Sequence, residues 1–138
     1  MSDNRKKGYR PYYKKNNSKA AKNTDTEPHP VFENRTKLEM AVEAKPTEEN
    51  IVTALAIAWN KYAWFEEQEE KNLADETKYR EICEKTDEWC EEHSRMLEKL
   101  KTTLGFDSDV TFALPEITYV MNRNGFEDVN GYWQKKKN

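Results

Sequence analysis

A regular seam of side chains runs from Tyr79 to Leu100. Its members recur at alternating steps of three and four residues, which places them along one face of an α-helix. They are Tyr79, Ile82, Thr86, Trp89, His93, Met96 and Leu100. Asp75 is a suitable N-cap, and Gly105 is a suitable stop. The pattern predicts a helix over about 75–104 whose seam must be covered by another element.

The preceding segment predicts a partner for this helix. Thr47 can cap a helix whose first turn carries Glu48 and Glu49, since carboxylates favour the positive end of the helix dipole. Apolar side chains then follow at helical spacing, at Ile51, Val52, Leu55, Ala58, Trp59, Tyr62 and Phe65. Extending the Tyr79–Leu100 seam toward the N-terminus meets mostly polar residues, which disfavours one continuous helix. We therefore predict a helical hairpin of about 48–72 and 75–104, and a mostly α fold class.

Smaller elements are predicted on both sides of the hairpin. Pro115 in a first turn and Gly125 as a terminator indicate a short C-terminal helix. Segments 36–45 and 110–121 contain alternating apolar residues that equally fit a small two-stranded β pairing. Thr36–Glu39 also fits the capping box of a short helix, so the sequence leaves helix or strand open there.

The C-terminal region contains a turn signal. Asn130-Gly131 is typical of a tight turn. Tyr132 and Trp133 follow it directly, and we expect these two rings to pack the end of the chain onto the helical body.

Charge is divided unevenly along the chain. Residues 1–23 carry eight basic side chains against one acid, a net charge of +7, whereas 24–134 carry twelve basic against 25 acidic groups, a net charge of −13. Three lysines follow near the C-terminus. We interpret the chain as a basic and aromatic arm over 1–30, an acidic helical domain over 31–134 and a basic tip over 135–138.

The arm has too little apolar surface to fold alone. Its large apolar residues beyond Met1 are three tyrosines, which cannot offset a backbone entropy cost of roughly 1 to 2 kcal/mol per ordered residue. We therefore predict a disordered arm. His29 lies between Pro28 and Pro30, which favour extended backbone and indicate a linker rather than a site.

Cations and aromatic rings alternate within the arm. Cations pair with phosphates while rings stack on exposed bases, a combination used to bind RNA and single-stranded DNA. The candidate binding residues are Arg5, Lys6, Lys7, Tyr9, Arg10, Tyr12, Tyr13, Lys14 and Lys15. The sequence thus predicts a small nucleic-acid-associated accessory protein. Its size and charge distribution are typical of an accessory protein of a phage or mobile element. Its helical body would dock a protein partner or another copy of itself.

The acidic body suggests a first alternative function. Glu and Asp side chains along 66–70 and 81–92 fit an ordinary solvated helix face. If they were one-sided, such a surface would imitate a nucleic acid backbone and inhibit a DNA-binding protein.

A second alternative is enzymatic. Glu66, Glu67 and Glu70, followed by Glu84 and Asp87, form a Glu-Glu-x-x-Glu and a Glu-x-x-Asp pair. These five residues resemble the carboxylate motifs of the all-α nucleotide pyrophosphohydrolases, the MazG-like family. The resemblance implies magnesium bound between two facing helices, where it would bind a triphosphate and activate water.

Other residue types do not assemble a site. Cys83 and Cys90 would lie about 10 Å apart along a helix, too far for a disulfide, and a zinc site would need further ligands. His93 lies on the seam, as a core histidine would. We predict no catalytic residues and no cofactor. The longest apolar stretch, Ile51–Trp59, is far shorter than the roughly 20 residues of a membrane span, and with no signal segment and two cysteines we expect a cytoplasmic protein.

Overall fold

The computed structural model describes residues 26–107 and 110–136. Within them the chain forms four α-helices followed by a two-stranded antiparallel sheet, so the mostly α fold class is confirmed. The elements are α1 (Arg35–Ala44), α2 (Glu48–Lys71), α3 (Glu76–Thr103), α4 (Leu114–Arg123), β1 (Phe126–Val129) and β2 (Tyr132–Lys135).

Helices α2 and α3 form the predicted hairpin. The Thr47 hydroxyl accepts a hydrogen bond from the Asn50 N–H at 3.2 Å, and the Asp75 carboxylate accepts one from the Lys78 N–H at 3.1 Å, so both predicted caps are present. The seam of α3 faces α2, and its members from Thr86 to Leu100 are buried, whereas Tyr79 and Ile82 are partly buried. The core therefore lies between these two helices, and the other elements cover its edges.

Residues 36–45, which the sequence leaves open, are helical. α1 begins at Arg35 after an Asn34 cap, two residues earlier than the Thr36–Glu39 capping box suggests. Leu38 and Val42 are buried one turn apart, whereas Met40 between them is exposed. A spacing of four belongs to both a strand and a helix, and the exposure of Met40 shows that the helical period applies.

A small two-stranded sheet is present, but it is formed by β1 and β2 rather than by segments 36–45 and 110–121, where alternating apolar residues suggested it. Residues 110–113 lie outside helices and strands, and α4 begins at Leu114 with Pro115 in its first turn. The strands flank the predicted turn instead, with Phe126 opposite Lys135. Asn130 and Gly131 both have positive φ, 55° and 92°, as a two-residue hairpin turn requires.

The C-terminal elements pack against α2. β2 lies along the middle of α2, and Trp133 is buried there, as expected from the sequence. α4 is joined to the start of α2 because Arg123 donates two hydrogen bonds of 3.0 Å to the Glu48 carboxylate. A hydrogen bond from the Asn124 side chain is the main reason that the pKa of Glu48 is lowered.

Candidate functional site

The nucleic-acid-binding residues predicted from sequence, Arg5 to Lys15, lie outside the described residues. The structure describes the point at which this basic segment joins the fold, the residues 26–30. It also describes the first two lysines of the basic tip. The candidate site consists of the contacts that residues 26–30 and the chain around Lys135 make with the fold.

Lys61 anchors the residues that follow the basic segment. Its side chain is fully buried in the middle of α2, where a charged group is costly unless it is paired. Its ammonium donates to the Glu27 carboxylate at 2.7 Å and to the Pro28 and His29 carbonyls at 3.2 and 3.3 Å. It also lies 5.2 Å from the centre of the Trp89 ring. Three acceptors match the three donors of an ammonium, so residues 27–29 are fixed on α2.

Asn60, the neighbouring residue, contacts both ends of the described chain. Its amide nitrogen donates to His29 Nε2 at 3.0 Å and to the Trp133 carbonyl at 2.9 Å. Its amide oxygen accepts the Trp133 N–H at 2.8 Å. Every N–H of this buried amide therefore has a partner. We call Glu27, His29, Asn60, Lys61 and Trp133 the terminal junction.

His29 is part of this junction and not an extended linker, so that interpretation was wrong. Its φ is +50°, and its carbonyl accepts the Phe32 N–H in a turn at 3.0 Å. The contacts of Asn60 and Lys61 hold this turn against the extended bias of the flanking prolines. Burial, and then the charge of Lys61, lower the pKa of His29. A neutral ring suits the contact, because Nε2 must accept the Asn60 N–H.

Lys135 and Lys136 follow this junction along the chain and contact the fold. β2 continues from Trp133 to Lys135, whose ammonium lies 4.9 Å from the centre of the Phe126 ring. The ammonium of Lys136 lies 3.5 Å from the Asn122 carbonyl at the end of α4. Because His29 and Trp133 share one amide of Asn60, the basic N-terminal segment and the basic tip join the domain at neighbouring points.

The five carboxylates of the enzymatic alternative are not gathered into a metal site. Glu66 accepts a hydrogen bond from the Tyr62 hydroxyl at 3.2 Å on its own helix. Glu67 faces Tyr132 of β2, where burial and then this carboxylate raise the pKa of the tyrosine. Glu70 and Glu84 are exposed. Across residues 26–107 and 110–136, no group of three or more His, Cys, Asp or Glu side chains is arranged to hold a metal ion.

A second polar cluster, largely on the surface, joins α1 to α3. Arg35 donates to Glu92 at 3.0 Å and to Glu91 at 2.8 Å, and Arg95 donates to Glu39 at 2.8 Å. We call these five residues the α1–α3 charge cluster. It contains three carboxylates and only two guanidinium groups. The positive charge of Lys99 also acts on Glu39, without a hydrogen bond between them.

Glu92 is the buried member of that cluster. Its side chain has no exposed surface, and its Oε2 atom has no hydrogen-bond donor. Burial, and then the facing carboxyl group of Glu39, raise the pKa of Glu92 to about 8. The hydrogen bond from Arg95 is the main reason that the pKa of Glu39 falls to about 2. A proton on Glu92 would balance the three carboxylates of the cluster against its two guanidinium groups.

Sequence reasoning missed Asn60, Lys61 and Glu92. A signal for the first two was available, since Ile51 to Tyr62 is apolar around most of its helix and a polar residue inside such a stretch is buried. Glu92 gave no such signal because it stands among many exposed acids. His93 is buried, with its ring centre 5.5 Å from that of Trp59, as its place on the seam suggests.

The remaining features give no further site. Cys83 and Cys90 are both buried and are not joined in a disulfide. None of the helices in the part of the chain that the structure describes combines the length and apolar character that crossing a bilayer requires. No protein-family model, curated protein or solved structure matches this chain.

Proposed function

We infer that this protein binds single-stranded nucleic acid, RNA or DNA, with its two basic ends together. One observation carries the proposal: the Asn60 side chain contacts His29 and Trp133 at once. A net charge of +7 in residues 1–23 and the lysines that begin at Lys135 thereby join the fold at neighbouring points. One strand of phosphates can contact both segments.

The charge of the rest of the chain supports this division of roles. The net charge of −13 over 24–134 repels a polyanion, so favourable phosphate contacts are confined to the two basic ends. The arm adds three tyrosines between its cations, and such rings stack on unpaired bases. The protein would act as a small cytoplasmic accessory factor, a location that fits two cysteines not joined in a disulfide.

Salt dependence of binding tests the proposal. We expect the full chain to bind a 20-nucleotide single strand of RNA or DNA with affinity that falls steeply as salt rises, by a log–log slope of about −0.7 per phosphate contact. Replacing Lys135, Lys136 and Lys137 by Gln should reduce the slope by about 2, since roughly three contacts are lost. Replacing Lys14 and Lys15 by Gln should reduce it by about 1.4.

The matched control changes the same charge elsewhere. Lys45, Lys78 and Lys85 are exposed and lie outside the terminal junction, so their replacement by Gln should leave the slope unchanged. Equal losses in the tip variant and this control would show that net charge alone acts. Absence of binding at low salt by the full chain would overturn the proposal altogether.

A further inference from the structure

An apolar groove lies between the end of α3 and α4. It has a volume of about 480 Å³ and is lined by Leu104, Phe106, Phe112, Pro115, Tyr119 and Val120, together with the charged residues Glu116 and Arg123. Phe106 is 46% exposed and Tyr119 is 64% exposed. Aromatic rings left open to solvent on so polar a chain mark a surface suited to a ligand.

Tyr119 and Arg123 lie together at one edge of this groove. The guanidinium carbon of Arg123 lies 5.6 Å from the centre of the Tyr119 ring, one helical turn away on α4. The two hydrogen bonds to Glu48 hold the guanidinium plane in place. A ring and a guanidinium in fixed positions offer two surfaces on which a base can stack.

The basic tip reaches the same end of α4. The ammonium groups of Lys135 and Lys136 each lie 3.5 Å from a carbonyl at the end of that helix, those of Asn124 and Asn122. Cations are favoured at this negative end of the helix dipole. Glu116 lies at the opposite end of α4, where its carboxylate accepts the Ala113 N–H at 3.1 Å. Positive charge is therefore placed at the Arg123 end of the groove.

We propose that this groove binds an unpaired base of the nucleic acid that the basic ends contact. Tyr119 would stack on the base, while Lys135 and Lys136 would pair with the phosphates on either side of it. An apolar slot edged by rings, with cations at one end, matches a flat ring joined to an anionic backbone. The proposal rests on the proposed function, and it adds a base-binding site on the folded domain.

A comparison of two oligonucleotides separates base contacts from phosphate contacts. The probes are a dodecamer of thymidine and an abasic dodecamer of equal length and charge. We expect the full chain to bind the thymidine dodecamer more tightly. Tyr119→Ala should weaken that complex about fivefold or more and leave the abasic complex unchanged, since stacking on one base contributes about 1–3 kcal/mol. Tyr119→Phe keeps the ring and should bind as the wild type does.

Photocrosslinking gives a second, direct measurement. A dodecamer carrying 5-iodouracil should crosslink to a peptide from the groove, 104–123, and Tyr119→Ala should reduce that product while crosslinks to the arm persist. Unchanged affinity in Tyr119→Ala with no groove crosslink would overturn this inference and leave the proposed function standing. A full chain that binds neither dodecamer at low salt would overturn both.

Discussion

Two clusters of polar side chains, each with a buried member on α2 or α3, join the peripheral segments to the α2–α3 hairpin, and they differ in charge balance. The terminal junction pairs one cation with one carboxylate and fills its remaining positions with neutral groups. The α1–α3 charge cluster places three carboxylates against two guanidinium groups. In the first cluster hydrogen bonds alone satisfy the buried groups and fix the positions of the chain ends. In the second the charges balance only when one carboxyl group also carries a proton.

The clusters consequently respond to pH in opposite directions. In the junction His29 must stay neutral to accept from Asn60, and its pKa is lowered, so its contribution to stability is present above pH 6.5 and is lost as pH falls. In the charge cluster the pKa of Glu92 is raised. Its contribution is fully present below its ordinary pKa of 4.5 and is lost as pH rises through about 8.

Removing the Asn60 amide should have the largest effect. Asn60→Leu leaves the buried N–H and carbonyl of Trp133 without partners, and each such loss costs about 1–3 kcal/mol. We expect the free energy of unfolding in urea at pH 7 to fall by about 3 kcal/mol. Asn122→Leu, an exposed change of the same kind, should stay within about 0.5 kcal/mol. Equal stability of the two variants would mean that β2 is not fixed by this amide.

Removing the Lys61 charge should have a smaller effect. Lys61→Met keeps the apolar stem, and the Glu27 carboxylate it abandons is 34% exposed and can be hydrated. We expect a loss of about 1–2 kcal/mol in urea unfolding, with faster amide hydrogen exchange at Phe32, whose N–H closes the His29 turn. Lys78→Met is the exposed control. A Lys61→Met protein with unchanged exchange at Phe32 would contradict the anchoring role of Lys61.

Neutralising Glu92 should have the smallest effect at pH 5 and a larger one as the pH rises toward 8. Glu92→Gln keeps the shape of a protonated carboxyl group, so its unfolding free energy at pH 5 should be close to that of the wild type. As pH rises from 5 to 9 the wild type should lose more than about 1 kcal/mol relative to the variant, because one unit of pKa shift corresponds to roughly 1.4 kcal/mol.

The difference between the wild type and Glu92→Gln reports the contribution of Glu92 alone. The opposite contribution of His29 is common to both and cancels in the difference between their pH profiles. Glu88→Gln, a change of the same type one turn earlier on α3, is the matched control. Parallel profiles for the wild type and Glu92→Gln would show that Glu92 stays ionised in the fold, balanced by Arg35 and Arg95 alone.

Much of the fold was predictable because its signals are local. The caps at Thr47 and Asp75 and the turn at Asn130-Gly131 depend on residues within four positions of each other. The local pattern left 36–45 open between helix and strand, because Leu38 and Val42 fit the period of either. The exposure of Met40, which only the structure shows, decides for the helix. The candidate site was less accessible, since its polar residues look like ordinary helix positions.

The sequence by itself determined the hairpin helices, their ends and the separation of a basic segment from an acidic body, because periodicity, capping and charge are written in neighbouring residues. Only the tertiary structure decided that His29 and Trp133 meet on Asn60, contacts that span 31 and 73 residues. Packing likewise buried Glu92 beside Glu39, which raises the pKa of Glu92. Such partners are set by how the helices and the hairpin dock, and docking depends on the whole core rather than on any local pattern.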